Sequence, residues 1–383
     1  MKATALRILL SILLFPVCGF TQIQFNFSGY IIDLPVFQRN NQNISQLFQF
    51  NRDQQFNITR LRLRPTIEFN AESRLSIEYE VTTFYQSQLS FSQVALPRAK
   101  RQLFDLNWTL LDERHWSSQH FIDRFYYRQE FDFGQITIGR QRIAWGSGRI
   151  WNPTDLFNPI NPANFAKIEK DGADLITGKF YLGDFTDLTL VFNPQEKNRS
   201  NAGVRFRTNL HKYDFSIVSG IFDERIIMGG DFAGNLFKAG FRGEAIISGK
   251  KDDFGSNFAR YILGLDYQFT ARLYTLMEYQ FNGEGSKDKR KYNLLKLLQG
   301  EILNVAKNYL FISANYLLYP LVSSSLSINL NLDDNSGYFL GMINYSAGQN
   351  TYLGLGGQFF FGDNLDEYWY FPNSGFLKIE FYF

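Results

Sequence analysis

The last stretch of the chain carries apolar residues at alternate positions, Leu377, Ile379, Phe381 and Phe383, with Lys378 and Glu380 between them. Successive side chains of a strand point to opposite faces, so this segment is greasy on one side and charged on the other. Such a strand suits a wall between lipid and water. The same alternation recurs along the whole chain. It predicts an all-β protein, a transmembrane antiparallel β-barrel, rather than a soluble core.

Forty Phe and 21 Tyr fit that reading, because aromatics favour pleated surfaces and form girdles at the two membrane interfaces. Lys2 and Arg7 precede a short apolar run, Ile8 to Val17, followed by Cys18 and Gly19. That is the pattern of a secretory leader, and it falls short of the roughly 20 residues of a helical span. Residues 1–21 are therefore expected to be a signal peptide, cut between Gly19 and Gln22, and residues 22–383 the barrel. Val17 before Cys18 fits a lipoprotein signal poorly. Loss of Lys2 and Arg7 takes the basic count from 39 to 37, equal to the 37 acids. A neutral chain has no global electrostatic reason to seek nucleic acid. With Cys18 its only cysteine, it offers no disulfide and no thiolate metal site. Export without a helical span points to the outer membrane of a diderm bacterium. The partners expected there are lipid, lipopolysaccharide, and the export and barrel-assembly machinery acting through the C-terminal strand.

Between Asn57 and Phe69, Leu61, Leu63, Ile67 and Phe69 share one face, and Arg60, Arg62 and Arg64 the other. Three arginines at spacing two need a face that is wet or lined by carboxylates. The next strand supplies Glu78 and Glu80 opposite Leu75, Ile77, Tyr79 and Val81, across a short turn near 71–73. Similar units recur to the end, and the count comes to about 18 strands, with 16 as the alternative because 225–233 and 101–110 read ambiguously. Short turns at 70–73, 133–134, 183–184, 234–235, 270–271 and 346–349 fall at one end. Longer connections at 34–55, 87–118, 146–172, 283–307 and 362–374 fall at the other, as in outer-membrane barrels. A helical spacing of leucines marks a short helix over 293–303.

The most distinctive stretch is Gly139 to Pro162, GRQRIAWGSGRIWNPTDLFNPINP. Its Asn-Pro pairs cannot continue a ladder, since proline lacks the donor and biases the residue before it. A rigid loop folded into the barrel mouth would place Arg149, Trp151, Asn152, Asp155, Asn158 and Lys167 near the path; a cap packed on the rim is the other reading. GRQ-x-x-x-WG followed by NP-x-D resembles a motif of poorly characterised outer-membrane barrels, the porin-like DUF1302 group among them. The matching residues are Gly139, Arg140, Gln141, Trp145, Gly146, Asn152, Pro153 and Asp155. The resemblance implies a porin-like barrel and names no solute.

Arg60, Arg62, Arg64, Arg140, Arg142, Arg205, Arg207 and Arg242, with Glu78, Glu80, Glu244 and Glu278, are the expected lining. In a wide barrel they would set up a transverse field that steers solutes by sign; alternatively they satisfy one another and stiffen the wall. Only His115, His120 and His211 occur, and no serine stands in a nucleophile elbow, so no enzyme, metal or cofactor is expected. The glycines of Gly354, Gly356 and Gly357 lie inside a strand, which excludes a dinucleotide site. Passive passage of small polar or ionic solutes is the expected function. A transporter of hydrophobic molecules would need a plugged lumen and a lateral opening; a surface scaffold would need a sealed lumen. A homo-oligomer is allowed, with no intersubunit patch identified.

Overall fold

The computed structural model describes residues 23–48, 51–87, 101–157, 169–196, 200–250, 253, 256–293 and 304–383. The expected signal peptide, Asn158, Lys167 and nearly all of the expected 293–303 helix lie outside the described residues.

In chain order the strands are β1 (Gln24–Asn26), β2 (Gly29–Arg39), β3 (Asp53–Leu63), β4 (Thr66–Glu68), β5 (Ser73–Gln86), β6 (Asn107–Asp112) and β7 (Trp116–Phe131). There follow β8 (Gly134–Gln141), β9 (Ala173–Gly183), β10 (Thr186–Asn193), β11 (Asn201–Leu210), β12 (Tyr213–Phe222), β13 (Arg225–Leu236) and β14 (Ala239–Gly249). The last are β15 (Phe258–Gln268), β16 (Leu273–Asn282), β17 (Asn308–Tyr319), β18 (Val322–Asn331), β19 (Gly337–Ser346), β20 (Thr351–Phe361) and β21 (Asn373–Tyr382). All pairings between them are antiparallel. β21 pairs with β2, so β2, β3, β5 and β7 to β21 close into a ring of 18 strands. Closure leaves no sheet edge, the condition for a wall in lipid.

The strand near 225–233 is a full member of the ring, which removes the 16-stranded alternative. The 101–110 region is not: β6 only extends β7 beyond the point where β8 leaves it. The expected continuous 57–69 strand breaks between β3 and β4 at Pro65, which has no N–H for the ladder. The turns at one end are two to four residues long, from 69–72 to 347–350, and the long connections gather at the other. His211 and Lys212 both take left-handed φ (52° and 67°), as a two-residue type I′ turn demands.

Over most of the ring, one wall face is apolar and open, with Ile217, Ile247, Leu326 and Leu355 each about 60% exposed. Charged and amide side chains fill the other face. The Gly356 position shows why glycine recurs in β20: the Phe376 ring of β21 lies where a Cβ would stand.

Candidate functional site

The inner face is shaped by the segment that leaves β8. Gly139 adopts φ +121°, and a Cβ there would run into the Phe125 carbonyl oxygen, so the position is closed to any side chain. Gln141 then bonds the carbonyls of Thr137 and Leu175, both at 3.2 Å. From 142 the chain leaves the β8 ladder, and the next strand begins at Ala173.

Two wall carboxylates hold this segment inside the barrel. Glu244 of β14 accepts from the main-chain N–H groups of Ser147, Gly148 and Thr154, and from Thr154 Oγ1 at 2.8 Å. Glu278 of β16 accepts from the N–H groups of Arg149 (2.9 Å), Ile150 (3.2 Å) and Trp151 (2.7 Å). Successive N–H groups aimed at one carboxylate make an anion nest, and bonds to a charged acceptor contribute about 1.5–3 kcal/mol each. The glycines of the WGSG run follow from this. Gly146 has φ +95°, and a Cβ there would meet both Glu244 oxygens and Thr154 Oγ1; at Gly148 it would meet the Trp151 carbonyl. With its amide nitrogen turned inward, Asn152 adds donors to Gly148 O (3.1 Å) and Glu244 Oε1 (3.2 Å). Asp155 pairs with Lys170.

Apolar contacts complete the seating. Trp145 and Phe157 pack edge to face and enter a cluster with Leu175, Val191, Val218, Phe222 and Ile246 of the inner wall. Trp151 enters a second cluster with Ile262, Leu276, Tyr309 and Phe311. Of the two readings of the loop, the inward one agrees with the described part; residues 158–168 lie outside it.

The expected lining residues separate into three groups. Glu244 and Glu278 face inward but are 3% and 0% exposed under the loop, so they hold protein rather than line water. Arg140 departs from expectation altogether: by register it shares the outer face of Phe125, pairs with Asp174 at 2.8 Å, and donates to the Phe104 carbonyl beneath the 101–106 segment. Arg142 is exposed where the loop leaves β8. The remaining residues do face inward. Arg62 bonds Glu78 and Glu80 (2.7 Å each) and Asp123, with Glu169 at 3.4 Å. Arg60 pairs with Glu80 (2.9 Å), Arg64 with Glu169, and Arg124 with Asp123 (2.6 Å). Glu78, Asp123 and Glu169 stand close enough to share a cation, and the Arg62 guanidinium is that cation. Four arginines thus meet four carboxylates. Farther round, Arg207 and Lys179 pair with Asp187, Arg205 approaches Asp231, and Arg242 bonds Asp266.

Asp123, Glu169, Asp187, Asp231 and Asp266 are absent from the expected lining. Alternation places Asp187, Asp231 and Asp266 inward, but Asp123 has the outward parity of Phe125 and turns inward only as the extra residue of a β-bulge in β7, and Glu169 is on the loop. Farther along the wall, β17 and β18 present Ser313, Asn315, Ser325 and Ser327. With Asp266 of β15, Tyr274 and Leu276 of β16 and Phe311 of β17, they line a recess of about 600 Å³ that the loop closes with Arg149 and Ile150.

No protein-family model matches the chain, and no curated protein matches it in sequence. The motif likeness to the DUF1302 group therefore stays a likeness of that stretch. In three dimensions the chain is similar to OccAB1 of Acinetobacter baumannii, at 7% identity over 96% of this chain and 98% of that one, with a TM-score of 0.58. It is similar to a BenF-like porin from Pseudomonas fluorescens Pf-5, at 7% identity over 95% and 99%, with a TM-score of 0.58. The third is Pseudomonas aeruginosa OpdK with vanillate, at 8% identity over 95% and 100%, with a TM-score of 0.55. Identity this low establishes the fold alone: the chain has the closed antiparallel barrel of outer-membrane porins.

Proposed function

We propose that the protein is a passive channel of a bacterial outer membrane for small polar or ionic solutes. The loop from 142 inward is its constriction. One observation carries this: a loop seated inside the ring by two wall carboxylates, facing side chains that stay partly open to water. Arg64 and Arg207 keep 33% and 43% of their side-chain surface exposed, and Glu78 and Glu169 keep 24% and 22%. Charged linings select by sign and narrow loops by size. The Arg62 cluster is internally neutral, and Arg205 and Arg242 each face an aspartate, so the sign preference falls to Arg149 and to Arg207 and Lys179, which share the single carboxylate of Asp187.

The recess beside Arg149 suits a small organic anion, with the guanidinium for a carboxylate and Tyr274, Leu276 and Phe311 for an apolar body. OpdK was solved with vanillate, an aromatic carboxylate, and the chemistry of this recess is compatible with that class. No catalytic step and no cofactor enter the proposal. A second reading, passage of apolar molecules, draws on an apolar inner patch of Leu34, Val36, Phe56, Ile58 and Phe376. Planar-bilayer recording separates the two. Ohmic steps reduced by millimolar benzoate or vanillate support the proposal, while a folded protein without conductance refutes it.

A further inference from the structure

One sector of the wall is inverted. On β2, β3 and β5 the inward positions are apolar, with Leu34, Val36, Phe56, Ile58 and Phe84 packed together. The outward positions at the same level are polar. Asp33 stands opposite Thr59, Thr59 opposite Thr83, and Thr83 opposite Ser118, in unbroken register across β2, β3, β5 and β7. Asn57 and Thr59 both donate to Asp33 Oδ1, at 2.8 and 2.6 Å, and the Thr83 and Ser118 hydroxyls are 3.0 Å apart. Beside the row His120 meets the Tyr79 hydroxyl at 2.9 Å.

This row belongs to the membrane-spanning height of the wall. Asp33 lies between the outward Ile31 and Phe37, and its register partner on β21 is Ile379, in the middle of the apolar outward row of that strand. Hydrocarbon offers no donor or acceptor, so ionisable side chains at this depth turn toward protein or water. The Asn57 carbonyl oxygen is buried without a partner, although its amide nitrogen is engaged.

We infer that this outward sector of β2, β3, β5 and β7 is the contact face for a second copy of the chain. The reasoning rests on the barrel standing in a membrane. Hydroxyls and amides are donors and acceptors at once, so the row complements an identical row. About a two-fold axis along the membrane normal, β2 of one copy faces β7 of the other. Asp33 is four positions in from Phe37, and His120 four positions in from Trp116, outward aromatics near the long-connection ends of their strands. Carboxylate and imidazole therefore reach similar depth on opposite flanks, where each meets the other across the axis.

The test uses the full chain in outer membranes, with Cys18→Ser so that only an introduced thiol reacts. Folding and membrane insertion are scored first, by fractionation and heat-dependent mobility in SDS gels, and failure there refutes the membrane reading itself. In folded, inserted protein, Thr83→Cys treated with a short bis-maleimide should give a band of twice the chain mass, and Ile217→Cys on a remote outward face should not. No dimer at Thr83, equal yields at both sites, or an adduct of another mass would overturn the inference. Asp33→Leu with Thr59→Val should shift the purified protein from dimer to monomer by native mass spectrometry while leaving single-barrel conductance unchanged. A folded double variant that stays dimeric would also overturn it.

Discussion

Replacing Glu278 and Glu244 with Leu tests what holds the constriction. Glu278 receives three main-chain N–H bonds of 2.7–3.2 Å, all from consecutive residues 149–151. At about 1.5–3 kcal/mol each, and less than additive because they share one charge, their loss amounts to about 4 kcal/mol. Trp151, 3% exposed, opposes release: an indole burying about 200 Å² at roughly 25 cal/mol per Å² contributes about 5 kcal/mol. The two are comparable, so Glu278→Leu alone should leave the loop docked for most of the time but flickering. Removing Glu244 as well takes away the cradle of 147–154. A loss of about 4 kcal/mol per anchor is close to a thousandfold in the docked-to-free ratio. Single-channel recording should show added current noise in each single variant and a larger stable conductance in the double. The reasoning fails if the double variant, folded by its heat-dependent gel mobility, keeps the parent conductance and noise.

Gly146→Ala should reproduce the Glu244→Leu noise, because a Cβ at φ +95° meets the carboxylate it replaces as neighbour; a silent variant would remove the cradle as cause. Arg62→Gln leaves Glu78, Glu80, Asp123 and Glu169 short of their shared cation, and breaking such a buried cluster costs about 3–5 kcal/mol. Its urea midpoint should fall well below that of Arg207→Gln. The latter, half-open to water, should instead move reversal potential toward cation preference, as should Arg60, Arg62 and Arg64 together changed to Gln, which leaves four carboxylates facing Arg124 alone; unchanged potentials in the folded variants would refute a charged lining that acts on ions. Glu367, in the 362–372 connection, is fully buried, and burial pushes its carboxyl up to about 8, partly offset by hydrogen bonds from Tyr309 and Asn331. Its folded form holds a proton that the unfolded form has already lost, so its contribution to stability is present at low pH and declines from about pH 4.5 to 8. The protection factors of 362–372, exchange taken relative to the intrinsic base-catalysed rate, should fall across the upper part of that window, and Glu367→Gln should abolish that fall.

The wall was legible because a strand's period is local: Leu377 to Phe383, or Leu61 and Leu63 against Arg60 and Arg62, declare their faces without reference to the rest of the chain. Alternation misled where the backbone leaves the ladder, at Pro65, and where an outward position is roofed by another segment, as Arg140 is by 101–106. It was silent on Glu169, which stands on a loop and meets Arg62 and Arg64 only because the loop returns to them.

Sequence alone therefore determined the strands and most of their faces, since each follows from residues a few positions apart, and a barrel follows because a wall in lipid tolerates no open edge. Tertiary structure alone decided what each inward face touches. Glu244 and Glu278 look like channel carboxylates in sequence, yet their partners lie 90 to 129 residues away. Only the closed ring brings those N–H groups to them, and a buried carboxylate takes its role from the donors that reach it.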